Sequence, residues 1–173
     1  MKRLLYIILM ALATLSAGAV YRQDSVRLTY KLHGQTRRFA ATFSRDDKGS
    51  VRMDWAIERN LKMWRGSYTM SPRAVETAPT MSFLMPEDGK QVQLPDNETF
   101  AILSKAAFTA LRDLGEMQWN NTTYRLDSIQ NGRLHATDIE EGAVISVLDD
   151  PEFPLITSMA GNPLEINWTA EIF

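Results

Sequence analysis

The chain has 173 residues and no cysteine, and its 19 basic side chains stand against 21 acidic ones. A chain of this size buries roughly two-thirds of its unfolded surface, so a core can form without disulfide or metal staples. Arg37-Arg38 is the densest basic pair downstream of the first residues, and the acidic balance argues against a nucleic-acid partner.

The first nineteen residues read as a signal peptide. Lys2 and Arg3 precede an unbroken apolar run from Leu4 to Ala13, and Ala17-Gly18-Ala19 supplies the small-x-small pattern of a cleavage site. The run is too short to span a bilayer, which needs roughly twenty residues. Cleavage near Ala19 would leave residues 20–173 as one mainly β domain with 17 basic and 21 acidic side chains. The expected address is periplasmic or secreted, with no stable membrane insertion after processing. The lack of cysteine favours a bacterial envelope protein without a lipid anchor.

Strict apolar alternation then marks half-buried strands. Val26, Leu28, Tyr30 and Leu32 alternate with polar residues, and His33-Gly34 turns the chain. Arg37, Phe39, Ala41 and Phe43 share one face of the next strand, and Asp46-Asp47-Lys48-Gly49 has turn chemistry. Val51, Met53, Trp55 and Ile57 alternate next, followed by Trp64, Gly66, Tyr68 and Met70. Leu61 and Met63 fall on the other side, which suggests a bulge or two buried faces. The four segments predict an antiparallel meander.

In the middle third, Ser71-Pro72 caps a short helix over residues 73–78, and Pro79 stops it. Met81, Phe83 and Met85 alternate with Ser82 and Leu84, and residues 91–94 read as a short strand. Phe100, Leu103, Ala107, Ala110, Leu111 and Leu114 recur at helical steps, with Gly115 as C-cap. One main amphipathic helix is therefore expected over Asn97–Leu114. Asn131-Gly132 signals a hairpin between residues 122–129 and 133–139. Residues 143–148 suggest a central strand covered on both faces, and Leu164, Ile166, Trp168, Ala170 and Ile172 alternate in a last strand.

No catalytic residue, metal ligand or cofactor is indicated. His33 and His135 lack a second ligand at metal spacing, and no nucleophile elbow, phosphate loop or dinucleotide fingerprint occurs. The acidic clusters Asp46-Asp47, Glu140-Glu141 and Asp149-Asp150 with Glu152 lack calcium-loop spacing and read as solvated turns. The suggestive feature is a concentration of methionine and aromatic residues between positions 53 and 85. Methionine fills irregular apolar gaps and is over-used on adaptable binding surfaces. A greasy pocket lined by Trp55, Met63, Trp64, Met81, Phe83, Met85, Phe100 and Leu103 is one reading, and an ordinary core is the other.

The order of elements over residues 25–173 resembles the half-barrel layout of the periplasmic lipoprotein-carrier family, in which a curved sheet cups a helix over an apolar cavity. The expected fold is mainly β (α+β): a curved antiparallel sheet or half-barrel of eight to ten strands, with the main helix on its concave face. The expected function is a binding or carrier module for an apolar ligand or lipoprotein segment, requiring an open cavity between helix and sheet. The alternatives are a module that docks another envelope protein and a hydrolase with an unrecognised site.

Overall fold

The computed structural model describes residues 24–32, 35–83, 85–162 and 165–173. The expected signal peptide, the His33-Gly34 turn, Leu84 and Leu164 lie outside these.

Four long strands form first: β1 (Asp24–Leu32), β2 (Gln35–Arg45), β3 (Val51–Arg59) and β4 (Lys62–Met70). They pair as the antiparallel meander that alternation predicts. A crossover follows, with α1 (Pro72–Thr77), β5 (Thr80–Met81), β6 (Gln91–Gln93) and β7 (Glu98–Thr99). It ends in α2 (Lys105–Thr109), which runs on into a π-helical turn at Ala110–Leu114. A second meander closes the chain: β8 (Glu116–Trp119), β9 (Thr122–Gln130), β10 (Arg133–Asp138), β11 (Val144–Leu148), β12 (Ile156–Ala160) and β13 (Asn167–Ile172).

All but β5 and β7 belong to one eleven-stranded sheet in the order β6-β4-β3-β2-β1-β13-β12-β11-β10-β9-β8. The sheet is open, with β6 and β8 as its edges, and it is mixed because β6 runs parallel to β4. The two meanders meet where β1 pairs with β13, from Val26↔Ile172 to Lys31↔Asn167. β5 and β7 form a separate parallel pair.

One face of the sheet carries the core. Val26 and Leu28 of β1, Phe39, Ala41 and Phe43 of β2, and Met53 and Trp55 of β3 are buried on it. Ile145 and Val147, Leu134 and Ala136, and Met117 and Trp119 continue it across the second meander. The crossover lies on this face and reaches both halves. Phe100 N–H points at Met70 Sδ (3.3 Å), Leu103 N–H donates to Pro154 C=O (3.0 Å), and Asn120 N–H donates to Pro79 C=O (3.0 Å).

The expected long helix over Asn97–Leu114 is replaced by two short helical turns. Residues 100–103 are buried on every side, which a one-sided surface helix does not allow. They form an irregular bend instead: Ala101 takes the left-handed φ +61°, and its carbonyl accepts from Ile156 N–H (2.8 Å). Helix starts only at Ser104, whose hydroxyl accepts from Ala107 N–H (3.3 Å) and donates to Ala78 C=O (2.8 Å). The π-helical turn then shifts the phase, so Leu114 ends 80% exposed rather than on the buried face. Gly115 does cap the turn, at φ +81°.

The strand count and β11 differ from expectation as well. β8 and β12, which were not expected, bring the large sheet to eleven strands, while the expected strand from Met81 to Met85 is only the two-residue β5 outside it. β11 is buried on one face only, with Val144 exposed and Ile145 and Val147 inward. β4 carries no bulge, since its register with β3 is unbroken from Val51↔Met70 to Arg59↔Lys62. The bulges sit in the second meander, where Asp127 on β9 and Thr157 on β12 are extra residues.

Candidate functional site

An aromatic row crosses the inner face, one ring from each successive strand. Trp168 of β13 meets Tyr30 of β1 at 5.1 Å between centroids, and Tyr30 meets Phe39 of β2 at 5.4 Å. The row continues from Phe39 to Trp55 of β3 (6.2 Å) and from Trp55 to Tyr68 of β4 (6.0 Å). Phe100 of the crossover ends it, 4.8 Å from Tyr68. The first four contacts join residues on neighbouring strands and the same face, so alternation and register place them.

Above this row lies an apolar cleft of about 80 Å³, walled by Leu28, Tyr30, Phe39, Met53, Tyr68 and Phe100, with Ile166 at one side. Its cover is the irregular stretch after β5: Phe83, Met85 and Pro86 lie over it, with Phe83 37% and Met85 55% exposed. Gln35 and Arg37 form its polar end. Burial pushes the Tyr30 hydroxyl well above its usual pKa, reinforced by the neighbouring Tyr68. Burial also pushes Tyr68 up to about 12, with Glu87 adding to the effect. Both phenols are therefore neutral near pH 7, and the Tyr30 hydroxyl is shut off from solvent.

Of the eight residues picked out by composition, the structure brings Phe83, Met85 and Phe100 together around the cleft. Trp55 belongs to the core behind it, wedged against Gly66. Met81 and Leu103 are buried in the crossover, where Met81 N–H donates to Asn120 Oδ1 (2.8 Å). Trp64 is half-buried at the rim, with the Arg59 guanidinium over its ring at 4.8 Å. Met63 alternates onto the opposite face and is 51% exposed. The walls contributed by Leu28, Tyr30 and Phe39 escaped sequence reasoning. Their signal was present in the strand alternation, but methionine density drew attention downstream.

A second, more polar cavity lies beyond Phe83, lined by Asn120, Thr122, Tyr124, Asp138, Glu141 and Asn162. Phe83 lines both spaces and separates them. Asp138 is buried there and accepts from Thr122 Oγ1–H (2.6 Å) and Glu140 N–H (2.8 Å), so it serves the β10–β11 turn. A Ser–His contact exists elsewhere, between Ser146 and His135 Nδ1 (2.9 Å), on directly paired positions of β10 and β11. It lies on the sheet face opposite the core and has the form of a cross-strand polar pair. Among the described residues, no group of three or more His, Cys, Asp or Glu side chains could hold a metal ion. No helix among them is long and apolar enough to cross a membrane.

The cleft is small, apolar and ringed by aromatic side chains, and it lies against the irregular stretch after β5 and Phe100 rather than between a main helix and the sheet. No protein-family model, curated protein or solved structure matches this chain.

Proposed function

We propose that the protein is an exported binding or carrier module of the bacterial envelope, taking up a hydrophobic ligand or lipoprotein segment between its crossover and the inner face of β1–β4. The observation that carries this reading is the apolar cleft over the aromatic row, covered by two exposed apolar side chains on a segment without regular structure. Burial of an acyl chain contributes about 0.8 kcal/mol per methylene, so some ten methylenes would supply roughly 8 kcal/mol before ordering costs. A cleft of about 80 Å³ is far below the roughly 300–1,000 Å³ of a preformed ligand site, so uptake requires Phe83 and Met85 to swing aside. The N-terminal signal pattern agrees with an exported protein.

Native mass spectrometry of the protein recovered from its host's envelope, followed by denaturing extraction, tests the reading. A reproducible added mass that extracts as lipid is the expected result. A clean apo mass, together with no binding of a fluorescent acyl probe, would overturn it. Phe83→Ala is expected to weaken an acyl probe by about tenfold, because the truncated wall opens the cleft to the neighbouring polar cavity.

A second reading, a module that docks another envelope protein, is favoured by Leu61. This leucine stands at a hairpin tip, 94% exposed, in a left-handed conformation that costs stability without filling any core. Pull-down of a defined envelope partner by the wild type, lost on Leu61→Asn, is the result this reading requires.

A further inference from the structure

The apolar cleft does not end in apolar residues. Tyr30 and Arg37 are directly paired across β1 and β2, so their side chains leave the same face of the sheet, and both line the cleft. The Tyr30 hydroxyl is buried without a hydrogen-bond partner among the described residues. Such a group costs about 1–3 kcal/mol when left unsatisfied. The half-buried Arg37 guanidinium has five donors. It reaches only Gln35 Oε1 at 3.3 Å and the soft Met85 sulfur at 4.0 Å, with no ion pair among the described residues.

Next to this pair the sheet itself parts. β1 and β2 stay paired out to Leu32↔Gln35, and β3 and β4 out to Arg59↔Lys62. Between β2 and β3, pairing stops at Ala40↔Ala56. The opening is lined by residues 35–38 of β2 and by Ile57, Glu58, Arg59 and Asn60, which adds Arg38 and Arg59 to the same end. Among these lining residues one carboxylate, Glu58, faces three guanidinium groups.

Building on the carrier reading, we infer that the ligand is a single-chain acyl lipid ending in a carboxylate, in the manner of a fatty acid. Its chain lies under Phe83 and Met85, and its head accepts hydrogen bonds from the Tyr30 hydroxyl and the Arg37 guanidinium. A carboxylate would give the Tyr30 hydroxyl the acceptor it lacks and the Arg37 guanidinium an anionic partner in place of Gln35 and Met85, and a guanidinium binds a carboxylate through two parallel N–H···O bonds. The narrowness of the cleft selects one chain over two. Arg38 and Arg59 supply the longer-range attraction at the opening, which salt screens.

The test is calorimetric titration of the purified protein with oleate and with oleyl alcohol, both below their aggregation limits, at low and high salt. Oleate is expected to bind at least tenfold tighter than the alcohol at low salt, with the gap narrowing as salt rises. Arg37→Gln is expected to weaken oleate about tenfold and leave the alcohol unchanged. Tyr30→Phe, which keeps the ring contacts with Phe39 and Trp168, is expected to weaken oleate several-fold. Tyr30→Phe should melt at or above the wild-type temperature, since it removes a buried hydroxyl without a partner, and Arg37→Gln should melt close to it, since only the contacts to Gln35 and Met85 are lost. Equal affinity for oleate and alcohol, or equal loss of both in Arg37→Gln, overturns the carboxylate inference and leaves the carrier reading standing. Binding of neither ligand removes both.

Discussion

Gly66 stands opposite Trp55 in the β3–β4 register, and the indole occupies the space that a side chain would need. A Cβ at this position would meet Trp55 Cζ2 at 2.4 Å and the Lys90 carbonyl oxygen at 2.5 Å. The second contact is backbone and cannot swing away. Gly66→Ala is therefore expected to destabilise the fold by about 1–3 kcal/mol or more, read as a fall in the urea midpoint. Leu61 presents the opposite case. It holds φ +60° beside Asn60 at +52°, and a left-handed conformation costs an ordinary L-residue roughly 1–2 kcal/mol. Leu61→Asn is expected to raise stability by about 1 kcal/mol on the same titration, because asparagine tolerates that region and no burial is lost. Neither residue was legible beforehand: the glycine looked like one more position on an apolar face, and nothing local marks a leucine at a turn.

At the scale of elements, three hairpins among the described residues turn through two residues with positive φ: Asn60-Leu61, Asn120-Asn121 and Asn131-Gly132. That geometry matches the right-handed twist of the flanking strands. Asn131-Gly132 is the turn of this type read from sequence, while Asn120-Asn121, whose residues also tolerate positive φ, is missed and Leu61 gives no such signal. The long strands were legible, since a buried face imposes period two along each of them, while the short β7, β8 and β12 were not. The crossover was not. Phe100, Leu103, Ala107 and Leu111 recur at helical steps, yet the first two are buried in irregular backbone and the last two in helical turns. Periodicity reports which residues are buried and says nothing of what covers the positions between them. Ser104 decides the boundary by capping α2 and bridging to the Ala78 carbonyl. Ser104→Ala removes both bonds in a buried site, so a loss of about 1–3 kcal/mol is expected in thermal unfolding. Ser104→Val, which fills the space without a hydroxyl, should recover none of that loss. The cleft was half-legible for the same reason: its cover was flagged by Phe83 and Met85, while its floor needed strand order to assemble.

At the scale of the molecule, three tyrosines tie stability to alkaline pH. Burial raises Tyr30, and it pushes Tyr68 and Tyr124 to about 12, the last helped by Asp138 and Glu141. An unfolded tyrosine ionises near 10, so above that pH the unfolded chain sheds protons that the folded one keeps. Stability is therefore whole below about pH 10 and falls as pH rises towards 12. Urea midpoints measured from about pH 8 to 12 are expected to fall over that window while the phenolate absorbance of the unfolded chain rises ahead of that of the folded one; a flat midpoint would mean these phenols ionise freely in the folded state. A different consequence follows from the seam between the two meanders. Each meander closes through neighbours in sequence, but β1 gains its second neighbour only from β13, near the far end of the chain. A chain emerging N-terminus first therefore holds β1 with one open edge until Trp168 and Ala170 arrive, and closing so long a loop is the slow step in assembling such a topology. Assembly is timed by β13: until it is made, β1 lacks its second neighbour and Tyr30 lacks the Trp168 ring that begins the aromatic row.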